Sequence, residues 1–76
     1  MIDGRQVRAA RAMLDWSREE LLDAAGISMS ALLRLEGAMA DTRISTLSKV
    51  VRALNQAGIE FVSREDGAIG VMMRVK

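Results

Sequence analysis

Apolar residues recur at helical spacing near the start of the chain. Val7, Ala10 and Leu14 fall on one face when wound at 3.6 residues per turn, which predicts an amphipathic helix over about residues 3 to 14. The other faces of this helix carry three arginines, Arg5, Arg8 and Arg11. The first predicted element is therefore a helix with a cationic polar side.

A second helix has clear start and stop signals. Ser17 can cap the free backbone N–H groups, and Glu20, three residues later, completes a capping box. Trp16 and Leu21 are spaced to form the accompanying hydrophobic staple. Gly26 supplies the left-handed conformation that ends helices, so we predict that this helix ends just before it.

A third helix begins almost at once. Ser28 is a second capping residue, and Ile27 before it can staple onto Leu32. Leu32 and Leu35 mark the buried stripe of a short helix over residues 28–36. Two short helices joined by a glycine-containing turn form a helix-turn-helix, a shape in which one helix braces the other.

The fourth predicted helix starts at a cap on Ser45 and stops at Gly58. Its apolar residues follow the spacing of one buried face and are Leu47, Val50, Val51 and Leu54.

The period then changes from helical to alternating. Apolar residues alternate with other types at Ile59 and Phe61, and again at Ile69, Val71, Met73 and Val75. Asp66 and Gly67 lie between the two runs and give a good turn signal. The segment is predicted to form a β-hairpin, which must lean on another element because two strands alone are marginal.

The fold class is therefore mainly α, with a four-helix core over residues 1–58 followed by a C-terminal β-hairpin over residues 59–76. With 76 residues and no proline-rich or repetitive stretch, the chain holds one domain overall. Its apolar runs are far shorter than the ~20 residues that cross a bilayer, and no secretory signal is evident. A cytoplasmic location is expected.

Composition narrows the chemistry. The chain has no cysteine and no histidine, which removes disulfides and the usual zinc ligands, so neither metal nor cofactor is expected. Without those residues or a glycine-rich phosphate loop, little remains for catalysis, and we expect no enzyme. The net charge is only +1, but residues 27–58 carry four cationic residues against two carboxylates. This excess of positive charge is consistent with binding to a polyanion and equally with an ordinary solvated surface.

Three segments together resemble a known family. They are Trp16 to Leu21, Ala24 to Ser28, and Leu32 to Glu36, and they resemble the signature of the Cro and phage-repressor (XRE-like) helix-turn-helix family over roughly residues 5 to 57. The resemblance implies a lambda-repressor-like fold that binds double-stranded DNA, with helix 28–36 in the major groove.

Matching by position, the resemblance implies base contacts from Met29, Ser30, Leu33 and Arg34. Arg34 is the strongest candidate, because a guanidinium can donate two hydrogen bonds to guanine, a pairing worth roughly 1–3 kcal/mol. Arg34 could instead pair with a local carboxylate at the surface. Leu33 could contact a thymine methyl group or pack against another part of the chain.

Contacts to the DNA backbone are expected from Ser17, Arg18, Ser28 and Arg43. The N-terminus of the bracing helix adds N–H donors and a favourable dipole for phosphate. Lys49 and Arg52 are weaker candidates. Leu22 departs from the family pattern, which usually has a small residue where the two motif helices cross.

The apolar hairpin leaves open strand edges, which are often used for pairing. We expect a homodimer through residues 59–76 that reads half-sites about 34–36 Å apart. The alternative is a hairpin folded back on its own helices. The expected function is sequence-specific DNA binding by a transcriptional regulator, with repression as the first expectation. An antitoxin or another protein-binding module using the same fold is the alternative.

Overall fold

A computed structural model describes residues 2–37 and 43–75 of the chain. The elements run in the order α1 (Gly4–Leu14), α2 (Arg18–Ala25), α3 (Met29–Glu36), α4 (Ile44–Gln56), β1 (Ile59–Ser63) and β2 (Ile69–Met73). Mainly helical structure followed by an antiparallel hairpin confirms the predicted fold class. The residues outside the described ranges are Met1, residues 38–42 and Lys76. They include Asp41, which was counted among the charges of residues 27–58, and the last residue of the predicted segment 59–76.

The predicted caps of the two motif helices are present. Ser17 Oγ accepts the N–H of Glu20 at 3.1 Å, and Glu20 Oε1 accepts the N–H of Ser17 at 3.2 Å, which completes the capping box. Ser28 Oγ accepts the N–H of Ala31 at 3.2 Å. Gly26 has φ 69°, the left-handed conformation that ends α2. Local sequence therefore sets both ends of the turn.

Helix α1 has a capping box that the apolar pattern did not reveal. Asp3 Oδ1 accepts the N–H of Arg5 at 2.7 Å, and Gln6 Oε1 accepts the N–H of Asp3 at 2.8 Å. The Arg5 guanidinium also donates to the Asp3 carboxylate, and this holds the pKa of Asp3 below its ordinary value. The first helix is thus fixed at its start by side chains of its own first turn.

The predicted cap of α4 at Ser45 is wrong. The helix begins at Ile44, its N-cap residue is Arg43, and the Arg43 side chain makes no capping hydrogen bond. Ser45 therefore lies inside the first turn rather than before it. Gly58 follows the end of the helix with φ 100°, as predicted for the stop.

The core lies between the helices and one face of the hairpin. Its fully buried members come from every helix and from β1, and the largest are Val7, Leu21, Leu32, Val50, Leu54 and Ile59. β1 pairs with β2 antiparallel, with Phe61 opposite Val71, around the predicted turn at Asp66 and Gly67. No helix within the described ranges is long and apolar enough to span a bilayer.

The hairpin is also attached to α1 by a buried polar side chain. Gln6 Nε2 donates to the carbonyl oxygens of Val62 at 3.1 Å and Gly70 at 3.0 Å, one on each strand. Both amide hydrogens and the amide oxygen of Gln6 are therefore hydrogen-bonded. The hairpin therefore packs on the helices of its own chain, which is the predicted alternative to a hairpin with open strand edges.

Candidate nucleic-acid interface

Helices α2 and α3 cross with their apolar sides facing the core. Leu21 of α2 and both Leu32 and Leu35 of α3 are buried. Leu22, where a smaller residue was expected, is half-buried and packs against the edge of the core. Since the inner side of α3 is fully occupied by packing, its opposite side faces solvent.

That outer side carries the predicted base-contacting residues. Ser30, Leu33 and Arg34 are exposed, and Met29 is half-buried. Leu33 is 48% exposed, so it does not take the alternative role of a packing residue among the described residues. Arg34 forms no ion pair with any described residue, and its side chain is exposed.

A polar cleft of about 380 Å³ runs beside this face. It is bounded by the turn between α2 and α3, by α3, and by the first two turns of α4. Three cationic side chains and, among the described residues, no carboxylate line it; the cations are Arg34, Arg43 and Lys49. Concentrated positive charge in a concave surface favours a polyanion over a neutral partner.

The start of α4 adds to this positive field. Arg43 gives no side-chain cap and the first turn of α4 has no acidic residue, so within residues 2–37 and 43–75 no cap or carboxylate at this end opposes the helix dipole. The positive end of a helix dipole favours phosphate. Arg43 and Lys49 therefore border a surface suited to a sugar-phosphate backbone, although Lys49 ranked as a weaker candidate on sequence.

The predicted phosphate-contacting serines, Ser17 and Ser28, are exposed helix caps. In each, the hydroxyl oxygen accepts a backbone N–H, which leaves the hydroxyl hydrogen free to donate to a phosphate oxygen. Capping and phosphate binding are compatible in these residues.

Arg18 has a structural partner that the sequence did not indicate. Its Nε donates to Glu36 Oε1 at 3.0 Å, while the side chain remains 47% exposed. Glu36 itself is only 3% exposed. Arg18 is thus partly committed to the interior of the protein, and its predicted phosphate contact would have to use the remaining guanidinium hydrogens.

Glu36 is the centre of a polar cluster that joins three helices. Arg11 Nε donates to Glu36 Oε2 at 2.7 Å, and an Arg8 Nη donates to the Glu36 carbonyl oxygen. The C-terminal end of α3 is therefore tied to α1 and, through Arg18, to α2. One signal could have revealed it: Glu36 lies four residues after Leu32, on the buried face of the helix.

Helix α2 supports α3 from the core side, and α3 presents its outer side to solvent. This arrangement defines a helix-turn-helix protein. A helix-turn-helix family model matches residues 7–61, more than half of the chain. The chain belongs to this family of Cro-type, XRE-like DNA-binding transcription regulators. The family is regulatory and not enzymatic. A search of curated proteins found none that matches the chain.

Proposed function

We propose that this protein is a sequence-specific repressor that binds double-stranded DNA by placing α3 in the major groove. One observation carries the proposal. The exposed side of α3 is continuous with a cleft in which the described residues supply three cationic side chains and no carboxylate. A major groove admits one helix, and the phosphates at its rim require cations on either side of that helix.

The residues divide into two roles. Met29, Ser30, Leu33 and Arg34 contact base edges, with Arg34 supplying the strongest discrimination. Ser17, Ser28 and Arg43 contact the sugar-phosphate backbone, and we add Lys49 because it lines the same cleft. Arg18 contributes to backbone binding only through the part of its guanidinium that Glu36 does not engage.

Occupancy of an operator is the proposed mechanism. A bound protein blocks the access of RNA polymerase, and no cofactor takes part. A homodimer that uses residues 59–76 would bind two half-sites about one helical turn apart, and its affinity would exceed that of a single chain. A cytoplasmic location, where bacterial DNA is found, belongs to the same proposal.

The test begins by selecting bound duplexes from a random pool and titrating the selected site. Arg34→Ala should lose roughly 1–3 kcal/mol on the selected site and much less on unrelated duplexes. Arg43→Ala should weaken binding to all duplexes alike and reduce the salt slope by about one unit. Arg64→Ala, which removes an exposed arginine near the hairpin turn, is the matched control and should change neither quantity.

Two results would count against the proposal. One is the absence of salt-sensitive binding to any duplex, which would leave the protein-binding alternative. The other is an equal loss on every sequence for Arg34→Ala and Arg43→Ala, which would abolish the distinction between base and backbone contacts.

A further inference from the structure

Helix α3 carries two chemically different pairs of side chains on its outer side. Residues four apart lie one above the other on a helix, so Met29 neighbours Leu33, and Ser30 neighbours Arg34. Ser30 and Arg34 line the cationic cleft, whereas Met29 and Leu33 do not. We call Met29 and Leu33 together the apolar stripe of α3.

The apolar stripe does not contribute to the core. The inward apolar residues of α3 are Leu32 and Leu35, which are 0% and 4% exposed. Leu33 is exposed and Met29 is half-buried, and neither belongs to the core or to the partly buried residues that pack against it. Packing among the described residues therefore does not account for two large apolar side chains at this place.

The major groove offers one apolar feature to such a stripe. The base edges present hydrogen-bond donors and acceptors, and thymine adds the methyl group on its C5 atom. An apolar side chain pressed against a polar edge would leave that edge without hydrogen-bond partners, which costs free energy. Contact with a methyl group instead removes apolar surface from water on both sides. The apolar stripe is thus suited to methyl groups rather than to the other parts of the base edges.

We propose that the apolar stripe contacts the C5-methyl groups of pyrimidines, so that the protein distinguishes methylated from unmethylated pyrimidine positions in its half-site. This inference rests on the proposed function and specifies which feature of the DNA two of its base-contacting residues recognise. Because 5-methylcytosine carries a methyl group on the same ring carbon as thymine, the proposal extends to DNA in which a cytosine is methylated at that place. The protein then responds to cytosine methylation of its operator.

The two pairs on α3 divide recognition between them. Arg34 recognises the acceptor pattern of guanine, and the apolar stripe recognises a methyl group. Met29 is unbranched and flexible, so it adapts to small differences in the position of that group. Burial of one methyl group corresponds to about a fourfold change in dissociation constant, which a titration resolves.

Replacement of thymine by uracil tests the proposal, because it removes the methyl group and leaves the hydrogen-bonding groups of the base unchanged. The full chain is titrated by fluorescence anisotropy with the duplex selected from the random pool, in which each thymine is replaced by uracil in turn. At one or more half-site positions the dissociation constant should rise about fourfold. Thymines outside the half-sites are the control and should tolerate the replacement. Selected half-sites without thymine, or no loss at any position, would overturn the proposal.

Variants of the apolar stripe show whether it makes the contact. The double variant Met29→Ala/Leu33→Ala, once circular dichroism establishes that it is folded, should bind the thymine and uracil duplexes nearly equally, because the methyl group has lost its partner. Leu33→Ala alone, at an exposed position, should reduce the preference for thymine. A thymine preference that persists unchanged in both variants would overturn the assignment to the apolar stripe.

Two further variants are the controls. Arg34→Ala should bind the selected site less tightly but keep the preference for thymine over uracil, because it leaves the apolar stripe intact. Met13→Ala, at a 44% exposed apolar residue of α1, should change neither the affinity nor the preference. Loss of the thymine preference in Met13→Ala would contradict a contact confined to α3.

Cytosine methylation provides the reverse experiment. At the sensitive position a C·G pair replaces the T·A pair, and the duplex is prepared with and without a methyl group on C5 of the cytosine. Methylation should lower the dissociation constant of the wild-type protein about fourfold and should have no effect on the double variant. Equal binding of the two duplexes by the wild type would overturn the extension to 5-methylcytosine.

The outcomes separate this inference from the proposed function. A protein that binds the selected site with salt-dependent affinity but ignores every methyl group would overturn the methyl contact alone. A protein that binds no duplex would overturn the proposed function and this inference with it. Uracil-sensitive binding that disappears with the apolar stripe would support both.

Discussion

Glu36 shows how much a single buried side chain contributes to the position of the DNA-facing helix. Its carboxylate accepts hydrogen bonds from Arg11 and Arg18 while only 3% exposed. A buried ion pair is not in itself evidence of high stability, but removing one partner leaves the other charge unsatisfied. Glu36 therefore holds α3 in place through two ion pairs, and the loss of its carboxylate would remove both at once.

We predict that Glu36→Ala lowers the free energy of unfolding by roughly 3 kcal/mol, because it leaves the largely buried Arg11 without its carboxylate. Urea denaturation measures the change. Glu65→Ala, which removes an exposed carboxylate near the hairpin turn, is the control and should cost less than about 0.5 kcal/mol. If the two variants lost equal, small amounts of unfolding free energy, the Glu36 cluster would not contribute to stability.

At the scale of elements, α1 and α3 meet at a glycine. A Cβ added to Gly4 would overlap the carbonyl oxygen of Leu35 and lie 2.9 Å from the Cα of Glu36. No side chain fits there without moving the end of α3. Gly4 is thus needed for a close approach between two helices, although glycine is a poor helix former.

Gly4→Ala should therefore destabilise the protein by about 1–3 kcal/mol, even though alanine has the higher helix propensity. Gly70→Ala is the matched control, because a Cβ at Gly70 meets no atom within 4 Å. Thermal unfolding of both variants measures the difference. A stabilised Gly4→Ala would mean that the helices separate at little cost.

Element boundaries were predictable where a local side chain sets them. The caps Ser17 and Ser28, the stop at Gly26 and the hairpin turn at Asp66 and Gly67 depend on neighbours within four residues. The start of α4 was not predictable in this way. Its N-cap is Arg43, which makes no capping bond, so no local signal marks it, and the nearby Ser45 misled the prediction.

At the scale of the whole molecule, helices and hairpin share one core. Ile59 of β1 is fully buried with residues from all four helices. Trp16, the only tryptophan, packs against the same core from the junction of α1 and α2. The division into residues 1–58 and 59–76 therefore describes the order of elements along the chain, and we expect the two parts to unfold together.

Ile59→Ala should lower the free energy of unfolding by about 2–5 kcal/mol and destabilise the helices as much as the hairpin. Trp16 fluorescence and helical circular dichroism should follow one common transition in denaturant. Ile69→Ala, at an exposed position of β2, is the control and should have little effect. Two separate transitions would contradict a shared core.

The contacts that the sequence did not predict connect distant parts of the chain. Glu36 lies 25 residues from Arg11, and Gln6 lies 64 residues from Gly70. Hydrophobic period and capping motifs report on neighbours within a turn or a hairpin, so they contain no information on such pairs. The candidate DNA surface could be predicted from the sequence because most of it lies on two adjacent helices.

The contact between Gln6 and both strands has a consequence for synthesis. The Gln6 amide is synthesised before the hairpin, but its hydrogen-bond acceptors include Val62 and Gly70. Until those residues have emerged, the nascent first helix has an apolar face and a polar amide without their final partners. The Gln6 amide therefore acquires its complete set of native hydrogen bonds only after Gly70 has left the ribosome.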